Sequence, residues 1–260
     1  MIPSVQPQSI TLELCTGGID DVQLATAAGV DRIELNCGMA SGGLTASAAL
    51  AEESRRIFPG NIVAMVRPRE GSFVYSRNEF LLMLHDAEIL AAQGINGLAT
   101  GFLRPDGSID RGQTCRLREI LPHTELVFHR AFDWTPDPSA ALEQLIDCGY
   151  TRILTGGGPG PASTDGLQKL VRQAAGRIEI VACGGIRAHN VETILRDSGV
   201  TQIHSAARET IDPAIPQNAG QLHFGLPDFG AASYGRTSPV QLQELLAALQ
   251  PWRTQGNSGS

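Results

Sequence analysis

The chain has 260 residues, of which 42% are hydrophobic and 18% charged, and its formal net charge is −7. A chain of this length can bury one large core without disulfides or metal ions, so we expect a single domain. The acidic balance argues against a general nucleic-acid binder, which needs a basic stripe to neutralise phosphates. Because the first residues lack a signal-peptide pattern and no run of about 18 apolar residues occurs, we expect a cytoplasmic protein that does not enter membranes.

Eight short β-branched or leucine-rich runs alternate with alanine- and leucine-rich segments of helical period. The predicted strands are 10–15, 32–36, 62–68, 97–102, 125–133, 152–158, 179–185 and 202–207. Predicted helices between them include 20–29, 47–57, 78–94, 139–149, 165–176 and 188–199. Strand starts recur at about the length of one βα unit, and eight such units predict a (β/α)₈ TIM barrel.

The structural alternative is an open doubly wound sheet, which normally carries a GxGxxG turn after its first strand. The stretch LELCTGGIDD offers only Gly17 and Gly18 at that place. The sequence therefore favours the barrel, and no nucleotide cofactor is expected.

The two ends of the chain are expected to differ from the barrel at 10–250. Residues 1–9 are predicted to form an N-terminal extension. From 209 to 237, Pro, Gly and Asn recur at short intervals, which predicts an irregular segment. A last helix is predicted from Ser238, with Pro239 in its first turn, and 251–260 are expected to be a disordered tail.

Five cysteines stand at positions 15, 37, 115, 148 and 183, an odd number without the spacing of a disulfide framework. A chain this large needs no disulfide staples, so we expect reduced thiols. Cys115 and Cys148 lie on predicted helices and are expected to act as small buried hydrophobes.

Polar side chains gather at the carboxyl ends of the predicted strands, where TIM barrels carry their chemistry. Side chains alternate along a strand, and the apolar set should face the helices, so Glu13, Cys15, Glu34 and Asn36 are predicted to point into the barrel. Strands three, five and eight add Arg67, Arg69, His129, Arg130, Asp133 and His204 at the same end. His129 and Arg130 are adjacent, so only one of them can face inward.

This cluster has two interpretations, because buried charges are costly unless they are paired or meet a ligand. In the first, Glu13 and Glu34 form ion pairs with Arg67 and Arg130 and cap a purely structural barrel. In the second, the arginines hold an anionic or sugar-derived substrate of a lyase or isomerase, and Glu13, Glu34 or His129 moves a proton.

Glycine-rich turns follow strands six and seven, and a serine ends strand eight. In many barrels this corner binds phosphate through backbone amides at a helix N-terminus. The candidate donors are Thr155, Gly156, Gly157, Gly184, Gly185 and Ser205. With the arginines, Asp133 and His204 they make up the predicted substrate-binding set.

Seven stretches, in this order, resemble the CutC copper homeostasis family: ITLELC, GVDRIELN, GGLTAS, VRPREGSFVYSRNEF, VFHRAFDWTPDP, TRILTGGG and IHSAAR. The resemblance spans about residues 10–208. It implies a cytoplasmic TIM barrel, often oligomeric, that binds copper and serves copper homeostasis. The usual RPRGGDF loop of the family reads RPREGSF here. Relative to the family, this chain has an additional acidic side chain at Glu70 and lacks the usual one at Ser72.

The resemblance also implies a metal site, since members with a thiol pair carry it at the ends of the first two strands and Cu(I) favours thiolates. Cys15 matches the first position, but Asn36 stands at the second. The implied copper(I) ligands are then Cys15 with Cys37 or Cys183. A divalent ion is the alternative, held by oxygen and imidazole ligands from Glu13, Glu34, His129 and His204.

The loop Gly71 to Tyr75 carries an apolar tip, which either folds over the barrel mouth as a lid or packs on a neighbouring subunit. We therefore expect a homodimer or higher homo-oligomer. A small molecule or a metal ion is the expected ligand, with no nucleic-acid or membrane partner.

Overall fold

A computed structural model describes residues 10–214 and 233–253 of the chain. Eight strands alternate with helices: β1 Thr11–Thr16, β2 Arg32–Leu35, β3 Asn61–Met65, β4 Gly97–Thr100, β5 Glu125–Phe128, β6 Arg152–Thr155, β7 Glu179–Ala182 and β8 Gln202–Ser205. The helices are α1 Ile19–Ala28, α2 Ala48–Ile57, α3 Arg77–Ala92, α4 Arg111–Ile120, α5 Pro138–Asp147, α6 Thr164–Ala174, α7 Ala188–Ser198 and α8 Pro239–Arg253. Short 3₁₀ helices span Met39–Ser41 and Arg130–Trp134.

The eight strands form a closed parallel barrel, which confirms the predicted TIM barrel. β1 pairs with both β2 and β8, so the chain closes on itself. In this register Cys15 lies beside Glu34 of β2, and Glu13 lies between Arg32 of β2 and His204 of β8. The closure of the barrel therefore brings residues about 190 positions apart to one level.

The interior of the barrel is apolar on one side and polar on the other. Strands β3 to β7 supply the apolar interior cluster, which consists of Val63, Met65, Ala99, Val127, Leu154, Val181 and Cys183. The polar side comes from β1, β2 and β8, where Glu13, Arg32 and Gln202 are buried. The main core lies between strands and helices, where Leu12, Leu14 and their equivalents are fully buried. The carboxyl end of the polar side is where ionisable groups collect.

Several predicted boundaries differ from the structure. β3 ends at Met65 and β5 at Phe128, several residues before the predicted ends, so the polar residues that follow lie in loops. The segment 209–237 is not irregular throughout, because β9 Arg208–Ile211 pairs antiparallel with β10 Tyr234–Thr237. Helix α8 continues to Arg253, so residues 251–253 are helical and not a tail. The predicted extension 1–9 and the tail from 254 onward lie outside the described residues.

The prediction that all five thiols are reduced is wrong for two of them. Cys115 of α4 and Cys148, which follows α5, form a disulfide with a Cα–Cα distance of 4.7 Å. Cys15, Cys37 and Cys183 are free. Sequence spacing gave no sign of this pair, because it depends on how two neighbouring helices of the outer ring pack.

Within residues 10–214 and 233–253, no helix is long and apolar enough to cross a membrane.

Candidate functional site

A cavity of about 120 Å³ opens at the carboxyl ends of the barrel strands. Its walls bring together six of the polar residues discussed above: Cys15, Glu34, Arg67, His129, Arg130 and His204. Met65, Leu154 and Phe73 supply the apolar part of the lining, next to Gly42. Thiol, carboxylate, imidazole and guanidinium groups therefore share one pocket.

One wall, here called the sulfur wall, consists of Cys15, Glu34 and His204 from β1, β2 and β8. Cys15 Sγ lies 3.6 Å from Glu34 Oε2, and His204 Nε2 lies 4.0 Å from the same oxygen. One ligand atom from each residue falls within 4.8 Å of the others, which would allow all three to contact a single metal ion. No other group of three or more His, Cys, Asp and Glu residues in the described parts of the chain is arranged in this way.

Glu13 lies beneath the sulfur wall and fixes the orientation of His204. Its two oxygens accept hydrogen bonds from Arg32 Nε at 2.5 Å and from His204 Nδ1 at 2.8 Å. Burial acts to raise the pKa of Glu13, but the charges of Arg32 and His204 outweigh it and lower the pKa to about 2. An ionised acceptor keeps a proton on Nδ1 of His204 and turns Nε2 toward Cys15 and Glu34. Glu13 does not line the cavity, so its role is to position His204.

Burial sets the protonation of the sulfur wall. It raises the pKa of Cys15 to about 11 and also raises the pKa of Glu34. Burial would lower the pKa of His204, but Glu34, Cys15 and Glu13 raise it well above its ordinary value. Glu34 Oε1 is buried without a hydrogen-bond partner among the described residues. The wall thus holds protons that a metal ion would displace.

The sequence analysis missed a second sulfur in this wall. Met39 Sδ lies 3.9 Å from Cys15 Sγ, at the start of the 3₁₀ helix that follows β2. Gly17 makes room for it, because a Cβ at that position would lie 2.7 Å from Met39 Cγ. Asn36, which stands at the second thiol position, donates to Glu34 Oε2 at 2.9 Å. A search for soft donors in every loop at the barrel mouth would have found Met39, whereas a search for cysteines could not.

The opposite wall, here called the donor wall, consists of Arg67 and His129. His129 directly follows β5 and caps the 3₁₀ helix Arg130–Trp134, because its Nδ1 accepts a hydrogen bond from Ala131 N at 3.1 Å. Burial and the charge of Arg67 lower the pKa of His129 to about 3, so its ring is neutral. A neutral ring that accepts at Nδ1 carries its proton on Nε2. An Nε2 that carries a proton offers no lone pair to a metal ion, so the metal role predicted for His129 conflicts with this tautomer, whereas its predicted role in moving a proton stays a prediction.

Arg67 lies in the loop after β3, and no carboxylate in the described part of the chain pairs with it. Nη1 donates to Ser41 O at 2.8 Å and to Gly43 O at 3.1 Å, and Nη2 donates to Gly71 O at 3.1 Å. The predicted ion pairs of Arg67 and Arg130 with the two strand glutamates are therefore wrong. Glu13 pairs instead with Arg32, a residue that the sequence analysis did not select.

Arg69 does not join Arg67 in the pocket. Its Nε donates to Glu79 Oε1 at 2.5 Å, and its guanidinium carbon lies 5.2 Å from the centre of the Tyr75 ring. Glu79 also accepts from Ser76 N in the capping box of α3, so the start of that helix holds Arg69 outside the mouth. The prediction that Arg69 lies at the mouth with Arg67 fails because β3 ends at Met65, so the alternation of side chains along a strand does not reach residues 67 and 69.

The loop after β3 folds back over the mouth as a lid. Phe73 is 9% exposed, and its ring centre lies 4.9 Å from that of His129 and 5.0 Å from that of Trp134. Tyr75 is also buried. The apolar tip therefore packs on its own chain, as the first of the two predicted alternatives has it.

The predicted anion corner already contains an anion, the carboxylate of Asp133. Thr155 Oγ1 and Gly156 N both donate to Asp133 Oδ1, and Arg130 Nε donates to Oδ2 at 2.8 Å. A phosphate would have to displace this side chain. The remaining four candidates do not line the mouth cavity; they are Gly157, Gly184, Gly185 and Ser205. Gly157 N donates to Thr155 Oγ1, and Ser205 Oγ donates to Ile186 O.

The two metal sets expected from sequence are not assembled as such. Cys37 Sγ is turned toward Thr45 O at 2.9 Å, and Cys183 belongs to the apolar interior cluster. In the divalent set, the two oxygens of Glu13 are already bound and His129 stands on the other wall. The structure instead groups Cys15 with Glu34 and His204.

Comparison with known proteins gives a consistent result. The model of the CutC family matches residues 10–209. A family protein CutC from Treponema denticola is 43% identical over 220 residues, which cover 84% of this chain and 89% of the relative. The human copper homeostasis protein cutC homolog is 38% identical over 217 residues, which cover 82% of this chain and 79% of that protein.

A solved structure agrees with these sequences. The crystal structure of the putative copper homeostasis protein CutC from Streptococcus agalactiae superposes with a TM-score of 0.73 at 32% identity, covering 76% of this chain and 98% of that one. A phosphoribosylanthranilate isomerase from Thermotoga maritima superposes with a TM-score of 0.55 but is only 11% identical, so it shares the fold alone. This chain belongs to the CutC family.

Proposed function

We propose that this chain binds copper(I) at the sulfur wall and serves copper homeostasis in the cytoplasm. The observation that carries the proposal is that the thiol of Cys15 has both a thioether and an imidazole beside it. Met39 Sδ lies 3.9 Å from Cys15 Sγ, and the His204 ring belongs to the same cluster. Relatives at 38–43% identity are named CutC family or copper homeostasis proteins, which supports copper as the ion.

The donor types suit copper(I). Thiolate and thioether sulfurs and imidazole nitrogens are the ligands that select this soft ion, whereas carboxylates suit harder ones. Cys15, Met39 and His204 would therefore hold the ion, with Glu34 as a neighbour that already accepts from Asn36. The bound ion would replace the thiol proton of Cys15.

The support beneath His204 is typical of metal sites. A ligating imidazole usually donates its other N–H to a carboxylate, which fixes the ring and makes the free nitrogen a better ligand. Glu13 accepts from His204 Nδ1 at 2.8 Å and is itself held by Arg32. The sulfur wall thus has a second layer even though it lacks the second thiol of some family members.

The test is an anaerobic titration in which the protein competes with a colorimetric chelator for copper(I). Wild type is expected to take up one copper(I) per chain, and Cys15→Ser is expected to take up none. Cys37→Ser is the matched control, because Cys37 is a free thiol turned toward Thr45 and away from the site. A parallel titration with zinc(II) measures selectivity.

Three results would contradict the proposal. They are full copper uptake by Cys15→Ser, loss of uptake in Cys37→Ser, and a site that prefers zinc(II) to copper(I). Circular dichroism and thermal melting of each variant show whether the barrel is intact. A loss of copper binding in an intact barrel can then be assigned to the substituted side chain.

The homo-oligomer expected from the sequence stays a prediction, which now has to depend on another surface. Leu81 and Leu82 of α3 are each 51% exposed. Sedimentation of wild type and of Leu81→Lys at micromolar concentration tests this surface, and identical monomer profiles would reject the oligomer.

A further inference from the structure

The donor wall holds a buried cation that forms no ion pair with an acidic side chain of the described residues. Arg67 is 6% exposed, and its guanidinium donates to the backbone carbonyls of Ser41, Gly43 and Gly71. Its Nε is buried without a hydrogen-bond partner among the described residues. The other two buried arginines behave differently, because Arg32 binds Glu13 and Arg152 binds Glu125.

A buried guanidinium without a counter-charge is unfavourable by itself. Backbone carbonyls satisfy donors but do not cancel the charge. Tyr75 does not supply a negative charge either, because burial raises its pKa to about 12 and keeps it a neutral phenol. The cavity beside Arg67 therefore favours an anion from outside the chain.

His129 adds a second donor that faces the same cavity. Its Nε2 is buried and has no hydrogen-bond partner in the described part of the chain. Because Nδ1 accepts from Ala131 N, Nε2 carries the proton and can only donate. An unpaired buried N–H is costly, and a ligand oxygen at this atom would satisfy it.

The chain leaves room for this histidine at a specific position. Gly101 follows β4, and a Cβ there would lie 2.3 Å from His129 Cε1 and 2.6 Å from its Nδ1. Any side chain at 101 would push the imidazole out of place. The close approach of backbone and ring is therefore part of the donor wall.

The size and lining of the cavity restrict the ligand. At about 120 Å³ the cavity is far below the volume of about 300 Å³ at which sites for drug-sized ligands begin. The lining also includes the sulfur wall and Arg130, and its apolar part comes from Met65, Leu154 and the lid residue Phe73. Phosphate groups normally use backbone amides in the glycine corner, where Asp133 here accepts from Gly156 N and from the Thr155 hydroxyl.

We propose that Arg67 and His129 bind the carboxylate of a small organic acid, with one oxygen accepting from Arg67 Nε and the other from His129 Nε2. The few carbon atoms of the acid contact Met65 and Leu154 beneath the Phe73 lid. The carboxylate neutralises Arg67 and satisfies both unpaired N–H groups at once. This inference does not depend on copper, and the metal-free protein is used to test it.

The experiment measures binding of pyruvate to metal-free protein by isothermal titration calorimetry and by ligand-observed NMR at constant ionic strength. Pyruvamide, which has nearly the same shape without the charge, and inorganic phosphate are the comparison probes. Wild type is expected to bind one pyruvate per chain and to bind pyruvamide and phosphate at least about tenfold more weakly.

His129→Asn is the informative variant. The asparagine oxygen can still accept from Ala131 N as a helix cap, while the donor at the Nε2 position is lost. We expect its affinity for pyruvate to fall at least about tenfold, as for the loss of one hydrogen bond to a charged group. His123→Asn is the matched control, because His123 is exposed and its variant should bind as wild type does.

A direct measurement of the tautomer guards against a folding defect in the variant. In wild-type protein labelled with ¹⁵N at histidine, the two ring nitrogens of His129 should show a neutral ring protonated at Nε2 from about pH 6 to about pH 8. Adding pyruvate should shift the Nε2 proton and not the Nδ1 signal. Absence of pyruvate binding, equal binding by His129→Asn, or a proton on Nδ1 would each overturn the inference.

Discussion

The two histidines that line the cavity, His129 and His204, use their Nδ1 atoms in opposite ways: one accepts a hydrogen bond there and the other donates one. His204 donates from Nδ1 to the carboxylate of Glu13, which leaves Nε2 to face Cys15 and Glu34. His129 accepts at Nδ1 from a backbone N–H, which leaves its proton on Nε2. After loss of its Nε2 proton, the His204 ring can offer a lone pair to a metal ion, whereas the His129 ring can offer only a proton. The partner of Nδ1, and not the residue type, decides the function of each wall.

Local structure causes this difference. His204 lies within β8, where the parallel register with β1 places it beside Glu13. His129 lies just past the end of β5, where the chain turns into a 3₁₀ helix and needs a cap for its free N–H groups. The neighbouring strand therefore gives Nδ1 of His204 a charged acceptor, and the start of the 3₁₀ helix gives Nδ1 of His129 a backbone donor.

Glu13→Gln is expected to have the largest effect, and it acts only on the His204 side. Arg32 would lose its charged partner in a buried site, so the free energy of unfolding should fall by about 3–5 kcal/mol. Copper(I) affinity should fall about 10- to 100-fold, because the imidazole loses the carboxylate that orients it. Urea unfolding and the chelator titration measure the two effects.

Glu119→Gln is the matched control for that substitution. Glu119 pairs with Arg116 on the surface, and its side chain is 62% exposed, so its change should stay within about 0.5 kcal/mol. An unchanged copper affinity in Glu13→Gln would show that the two histidines do not differ in the way described.

Gly101→Ala should disturb the His129 side alone. The new methyl group would lie 2.3 Å from His129 Cε1, and such overpacking costs about 1–3 kcal/mol of unfolding free energy. Pyruvate binding should weaken at the same time, while copper(I) uptake stays as in wild type. Gly18→Ala is the control, because nothing lies within 4 Å of a Cβ at that position. A copper(I) affinity that falls together with pyruvate binding would mean that the walls are coupled.

The neutral state of His129 predicts a pH dependence of stability. Its folded-state pKa is lowered from 6.5 to about 3, so below pH 6.5 the unfolded chain takes up a proton that the folded chain refuses. The stabilising contribution is complete above pH 6.5 and is lost as the pH falls toward 3. Wild type should therefore lose about 2 kcal/mol more than His129→Asn between about pH 6.5 and about pH 5. Equal losses in urea unfolding at the two pH values would place a charged or exposed ring at this position.

Met39→Leu should have the smallest effect and should act on copper alone. Leucine keeps the volume and apolar character, so stability should change by less than about 1.5 kcal/mol. The loss of one thioether ligand should weaken copper(I) about tenfold in the chelator titration, with pyruvate binding unchanged. Met83→Leu is the control, since Met83 is buried in α3 and belongs to the main core. A wild-type copper affinity in Met39→Leu would remove the thioether from the site.

The barrel could be predicted from the sequence because strand and helix periods repeat in every unit. The inward direction of Glu13, Glu34 and His204 followed from the same alternation, and the register places all three on the polar side of the barrel. The alternation of side chains stops where a strand stops. Because β3 ends at Met65, the expectation that Arg67 and Arg69 both point into the mouth failed.

The details of the site could not be predicted because they depend on loop conformation and on partners distant in sequence. The tautomer of His129 depends on a backbone N–H two residues away. That N–H lies in a 3₁₀ turn for which the sequence pattern predicted a strand. The place of Met39 depends on a loop that passes over Gly17. The filled anion corner depends on Asp133 reaching across to β6. None of these contacts leaves a periodic signal.

The central claim is that the sulfur wall, and not the donor wall, holds copper(I). X-ray absorption at the copper edge of the anaerobically loaded wild-type protein tests it most directly. We expect sulfur and imidazole scattering from one copper(I) per chain in the wild-type protein, a reduced sulfur contribution in Met39→Leu, and no bound copper in Cys15→Ser. A first shell of oxygen and nitrogen without sulfur in the wild-type protein would contradict it.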